Sequence, residues 1–267
     1  MSTLLDDLLT DLKAEGDQLW AAVAGLDEAG WHTPTPAAGW DVATQVAHLL
    51  WTDEVAAIAA TTTEEGKAAW DALVLQAIED PTGFVDASAL EVARLAPEAL
   101  LARWGVAREG LGVALRGYPE GQKMPWFGPP MSPASMATAR FMETWAHALD
   151  VYDALGLEPE PSDRIRHVAH LGVRTRDFAF SVHGLEAPAA PFRIELKAPS
   201  GEIWTWGPEG SGQSVTGSAY DFCLLVTQRV HRDDTDLVAV GADADRWLDI
   251  AQCFAGPAGE GRKATDG

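Results

Sequence analysis

Arg140, Glu143, His147 and Asp150 recur at the spacing of one helical face. At about 100° per residue they span roughly 80° of arc, so four ionisable groups form a single stripe. Phe141, Trp145, Ala148 and Tyr152 make a neighbouring apolar stripe that would anchor the same helix in a core. The polar stripe therefore borders buried ground, where unpaired charge is costly. Glu143 and His147 reach toward one point, and a third ligand from another helix would complete a two-histidine, one-carboxylate metal site. His48, far upstream, is the candidate. A lone helical histidine is more often a satisfied core residue, so the case for His48 rests on its partners. Asp150, one turn beyond His147, is placed to orient a ligand from behind. Arg140 is placed to pair with Glu143 or to hold an anionic substrate.

The elements that must position these groups are marked by caps and breakers. A first helix is expected from about Thr3 to Ala24, capped by Ser2 or Thr3, with Leu5, Leu8, Leu9, Leu12, Leu19 and Val23 as its stripe. A loop rich in Pro and Gly leads to Trp40, and Asp41 reads as the cap of a long helix from Val42 to about Thr61. His48 lies on that helix beside Thr44, Trp51, Thr52 and Val55, at the edge of a core. Further helices are expected over Thr63 to Ile78 and Pro97 to Arg116, the latter with Pro in its first turn. After the loop Gly117 to Met131, Ser132-Pro133 opens the ligand helix, which stops at Gly156. Four principal helices suggest an antiparallel bundle over residues 1–158, with a metal or cofactor site built at its centre.

Beyond the stiff linker Glu158-Pro159-Glu160-Pro161, the pattern changes. Ser162 caps a helix expected to run to His183. Phe192 to Lys197 then alternates with period two, as a half-buried strand does. A turn at Ala198 to Gly201, strands around Ile203 to Trp206 and Ser214 to Gly217, a helix from Ser218 to Val230, a strand Leu237 to Val240 and a helix Ala244 to Phe254 complete a second domain over residues 159–256. Residues 257–267 are expected to be a flexible tail. The fold class is therefore α+β, a helical bundle followed by a smaller α/β domain. The segment Trp206 to Gly212 lacks the Lys and Ser/Thr of a phosphate cradle and reads as a hairpin loop.

Composition narrows the function. The chain has 267 residues, 47% hydrophobic and 22% charged, which suits folded, soluble domains. A formal net charge of −21 would repel phosphate backbones and anionic lipid, so neither nucleic acid nor membrane is expected as a partner. No leader-like segment or apolar run of spanning length is present, and a cytoplasmic location is expected. The two cysteines, Cys223 and Cys253, fall in apolar surroundings and read as inert core residues. The protein then lacks a nucleophilic thiol of its own. His167 and His170, three apart with Arg174 and Asp177 on the same face, read as a polar interface rather than a second metal site. Among the 11 tryptophans, Trp51, a turn from His48, and Trp126, just before the ligand helix, are candidate pocket walls for a cofactor.

The stretch Gly39-Trp40-Asp41-Val42 to His48-Leu49 resembles the GW-x-V-x5-HL signature of the DinB-like superfamily, in its branch of mycothiol-dependent maleylpyruvate isomerases. Arg140, Glu143, Trp145, His147 and Asp150 resemble that branch's fourth-helix pattern, and residues 185–254 are similar to its small, sterol-carrier-like α/β domain. The resemblance implies that His48, Glu143 and His147 bind a divalent metal, usually zinc. It also implies an active-site arginine in the second domain, for which Arg229 is the candidate, with Gln228 standing where the family tends to have glycine.

These readings meet in one mechanism. Three ligands leave a metal position open, where a thiol such as mycothiol would be deprotonated and made nucleophilic. The thiolate would add to an electrophilic small molecule, giving isomerisation or S-transfer, with Arg229 and Arg140 holding a carboxylate or enolate. Two other readings stay open. A hydrolase would activate water instead and need a base such as Asp53 or Glu54. A metal-stabilised binding protein would hold an apolar ligand without chemistry.

Overall fold

Backbone N–H groups at a helix start need acceptors, and this chain supplies most of them at polar residues placed for the purpose. The computed structural model describes residues 3–259 and 261–265. Thr3 caps α1 (Leu4–Val23) in a reciprocal box with Asp6. Ser2, the other cap expected, lies outside the described residues. Asp27 caps the short α2 (Glu28–Trp31), Asp41 caps α3 (Val42–Ala59) and Thr63 caps α4 (Glu64–Glu79). α5 (Phe84–Val92) follows Gly83, which offers no side-chain cap. α6 (Pro97–Gly117) begins at a proline. α7 (Pro133–Leu155) is capped by Ser132 and ended by Gly156 at φ 64°, a left-handed stop.

The chain divides between Pro159 and Glu160 into two units. In the first, α3 packs against α6 and α7, and α1 packs against α7 and α6, which closes a ring of four long helices. Leu19, Val23, Val46, Leu49, Leu50, Leu100, Trp104 and Val151 fill it, and a second cluster around Leu8, Leu111, Leu115 and Met136 extends it. α4 and α5 lie against α3 from outside the ring. Every residue from Val42 to Leu50 is consequently buried. His48 is thus not at a core edge, as its stripe suggests. α5, in a stretch to which the sequence assigns no element, helps to cover the helix that carries it.

In the second unit the single helix expected from Ser162 to His183 is broken. A 3-10 turn at Asp163–Ile165 precedes α8 (Arg166–Arg174) and α9 (Arg176–Val182). The break falls at Thr175, whose hydroxyl turns back to the carbonyls of Leu171 (3.0 Å) and Gln252 (3.0 Å). The strands are β1 (Phe192–Lys197), β2 (Ile203–Trp206), β3 (Gln213–Ser218) and β4 (Val238–Val240). Their order is β2-β1-β3-β4, with β1 antiparallel to β2 and parallel to β3, and β3 antiparallel to β4. α10 (Ala219–Val226) and α11 (Ala242–Ile250) pack on this sheet, and Phe192 and Phe222 meet Trp247 edge to face. Both helices end about four residues earlier than their sequence pattern suggests.

The link 207–212 is not the hairpin loop expected. It joins strands on opposite sides of β1 and must cross the end of that strand. Gly207 makes the crossing possible. Its φ is +77°, and a Cβ there would lie 1.9 Å from the carbonyl oxygen of Phe192. The described residues after Gly256, expected to be loose, have no regular structure but are tied back. Gln252 Nε2 donates to the carbonyls of Phe254 and Gly256, and Thr265 N–H donates to Asp234. Among the described residues no helix is long and apolar enough to cross a membrane.

Gly207→Ala sets a left-handed backbone against a backbone clash, and should lower unfolding stability by more than about 2 kcal/mol in urea denaturation. Wild-type stability in that variant would contradict the close approach.

Candidate metal centre

Two helices bring three ligand-type atoms together. α3 contributes His48, buried at 6% exposure, and α7 contributes Glu143 and His147 one turn apart. Nε2 of His48 lies 3.3 Å and Nε2 of His147 3.1 Å from the same oxygen, Oε2 of Glu143. The three form the one group of this kind found among the described residues, with ligand atoms all within 4.8 Å of one another. Burial pushes the Glu143 carboxyl up, but the hydrogen bonds and charges of His147 and His48 outweigh it and hold the group well below the usual carboxylate range. Tetrahedral bonds of 2.0–2.1 Å to a divalent ion would separate ligand atoms by about 3.4 Å, close to the 3.3 and 3.1 Å between the Glu143 oxygen and the two histidine nitrogens. The donor set, two imidazoles and a carboxylate, suits a zinc-type ion, so the residues fit the metal that the sequence implies.

Aromatic rings and a polar chain frame this cluster. The Trp40 ring lies 5.2 Å from that of His48 and stacks at 5.8 Å on that of His147. Trp51 sits 6.5 Å from His48 and meets Phe84 edge to face. The loop before α3 is pinned by a bridge between Pro34 and Asp41, and Thr35 bonds the Trp40 carbonyl through both its N–H and its hydroxyl. Gln45, fully buried one turn before His48, places Oε1 2.6 Å from Nδ1 of His147 and Nε2 2.9 Å from the Thr35 hydroxyl. Neither Trp40 nor Gln45 is singled out by the sequence reading. Their signals are the tryptophan of the loop motif and the three-residue spacing from Gln45 to His48.

Comparison with known proteins adds the family. A family model described as the mycothiol maleylpyruvate isomerase N-terminal domain matches residues 12–152, more than half of the chain and both helices of the cluster. This chain belongs to that family. A second model, described as wyosine base formation, matches residues 188–240. An uncharacterized protein of Mycobacterium tuberculosis, present in two strains, is 56% identical over 254 residues, covering 95% of this chain and 97% of the relative. The solved mycothiol-dependent maleylpyruvate isomerase, and a histidine-to-alanine mutant of it, share the fold with a TM-score of 0.59 at 16% identity, covering 90% of this chain and 95% of theirs.

Within this family frame, several expected roles change. Arg140 pairs with Asp53 rather than with Glu143. It is 2% exposed, and its Nε donates to Oδ1 of the buried Asp53 at 2.9 Å. Trp104 Nε1 donates to the other oxygen of Asp53 at 3.3 Å, so the pair joins α7, α3 and α6. Burial pushes the Asp53 carboxyl up, against the pull of Arg140 and the indole N–H. Asp53 is thus withdrawn from water, and Glu54 is held by both Nε and Nη2 of Arg103 at 2.7 Å. The position behind His147 expected for Asp150 is filled by Gln45. Trp51 does stand beside His48, whereas Trp126 contacts Trp70 and Phe127 rather than the histidines.

In the second unit, His170 accepts a hydrogen bond from Trp206 Nε1 at 3.2 Å. Cys223 and Cys253 are both buried. Burial, with Cys253 nearby, pushes the Cys223 thiol well up. Arg229 follows α10 in a left-handed cap. Its N–H bonds Leu224, that of Gln228 bonds Leu225, and Gln228 has φ 58°. Gln228 therefore holds the backbone shape that glycine adopts freely, the residue the family tends to have there.

Removing Arg140 alone would strand a buried carboxylate. Arg140→Leu should destabilise the fold by about 3–5 kcal/mol in urea unfolding, and adding Asp53→Leu should recover much of it. A loss below about 1 kcal/mol would show that the pair is not the tie described.

Proposed function

We propose that this protein is a metal-dependent enzyme that uses a low-molecular-weight thiol, mycothiol, to act on an electrophilic small molecule by isomerisation or S-transfer. The observation that carries this reading is the meeting of two imidazole nitrogens and a carboxylate oxygen within 4.8 Å of one another, in a chain whose own thiols are buried. Family membership supports it. His48, Glu143 and His147 would hold the ion, zinc by donor type. A divalent ion with an open position lowers the pKa of a thiol bound there, supplying the nucleophile that the protein lacks.

The chain's own residues do the rest. Glu143, kept ionised by its two histidines, offers the ion a charged ligand. Trp40 and Trp51 put apolar surface beside the histidines and limit water there. Arg229 would hold the carboxylate or enolate oxygen of the electrophile, a role we assign from the family resemblance. A water-activating hydrolase is the weaker reading because both carboxylates suited to be its base are engaged, Asp53 by Arg140 and Trp104 and Glu54 by Arg103. The match to wyosine base formation is confined to residues 188–240 and includes none of the cluster. A cytoplasmic site of action belongs to the same reading.

Elemental analysis should find about one divalent ion per chain, lost in the His48→Ala, His147→Ala double variant. Retention of metal by that variant would remove the site. Mycothiol should raise the Tm of metal-loaded protein and leave stripped protein unchanged. Equal shifts in both would argue against thiol binding at the ion. Arg229→Ala should keep this shift but lose turnover, and full turnover would retire the residue's role.

A further inference from the structure

Hydrogen-bond direction in the polar chain behind His147 follows from its far end. The Trp40 carbonyl can only accept, so the Thr35 hydroxyl, 2.9 Å away, spends its single proton there. Thr35 Oγ1 must then accept from Gln45, which makes the atom facing it, at 2.9 Å, the amide nitrogen. The Gln45 oxygen is thereby turned to Nδ1 of His147 at 2.6 Å and can only accept from it. A neutral His147 accordingly carries its proton on Nδ1 and presents a bare lone pair at Nε2. That lone pair points at Oε2 of Glu143, 3.1 Å away, which is itself an acceptor. Two acceptors facing each other at this distance repel unless a cation or a further proton joins them. On His48, by contrast, Nδ1 is buried with no hydrogen-bond partner among the described residues.

We propose that Gln45, oriented by Thr35, is a positioning residue that fixes the tautomer of His147 and so aims its Nε2 lone pair at the metal. This rests on the metal-binding reading above. Gln45 is fully buried on α3 while His147 is on α7, so the relay also sets the ring of one ligand from the helix that carries the other. A partner on the far nitrogen of a metal-binding histidine commonly alters metal affinity 10–100-fold, roughly, when removed. Gln45→Glu keeps an acceptor for Nδ1–H, and the Trp40 carbonyl keeps the Thr35 N–H if the hydroxyl turns to the new carboxylate.

Two measurements test this on the full chain. Zinc affinity, read by competition with a chromophoric chelator, should fall about 10–100-fold in Gln45→Leu and stay near wild type in Gln45→Glu. Nitrogen-15 NMR of the metal-free protein, with the ring neutral, should show His147 protonated on Nδ1 in wild type and a share of the Nε2–H form in Gln45→Leu. The Tm of the metal-free variants serves as the control for folding. Should Gln45→Leu not fold, Thr35→Val, which frees the amide to turn over, should show a smaller loss of affinity and the same mixing of tautomers. Wild-type zinc affinity in a folded Gln45→Leu, or an Nε2–H tautomer in wild type, would overturn the inference. Wild-type protein that takes up no zinc would instead defeat the metal reading, and the NMR result would still decide the tautomer.

Discussion

A carboxylate shared by two imidazoles in a largely buried setting is the constraint around which the first unit is organised. None of the three groups would be tolerated there alone, because burying an unpaired polar group is unfavourable. With a cation or a further proton between them they compensate one another, and the histidines hold the Glu143 carboxyl well below the usual carboxylate range in spite of its burial. That compensation requires α3 and α7 to hold a fixed distance and rotation. The remaining helices of the unit can be understood as what enforces it: α6 packs on α3, α1 packs on α7, and α4 and α5 close the outer side of α3.

The Arg140–Asp53 pair sits within the same two helices and does a different job. Arg140 lies one turn before Glu143, on the same face of α7, yet its charge is met in the core by Asp53, whose other oxygen accepts from the indole N–H of Trp104. A buried ion pair of this sort is a weak source of net stability but a strong penalty on wrong alignments, since a slip of one helix leaves a charge alone. The registration of α3 against α7 therefore has two polar locks, the Arg140–Asp53 pair and the cluster of Glu143 with two histidines.

Much of this was legible because the signals are local. Thr3, Asp41, Thr63 and Ser132-Pro133 mark helix starts through groups they bond within one turn, and Phe192 to Lys197 declares its strand by alternation. The pairing of His48 with Glu143 and His147 was legible for another reason: ionisable groups beside apolar stripes need partners. What escaped depends on contacts distant in sequence. α5 has no capping side chain to announce it, the break at Thr175 is fixed partly by the carbonyl of Gln252, and the crossover at Gly207 depends on where β3 lies in the sheet. Arg140 looked like a site residue because periodicity gives a face, not the partner waiting on the next helix. Gln45 was silent for the same reason.

Under the proposed function, the sealed thiols of the second unit have a protective consequence. Reagents that add to an external sulfur would add equally to an accessible cysteine of the protein and slowly inactivate it. Cys223 lies at 0% and Cys253 at 4% exposure, and burial keeps the Cys223 sulfur protonated. A fold arranged in this way would, under the proposed function, handle an electrophile without offering it a sulfur of its own.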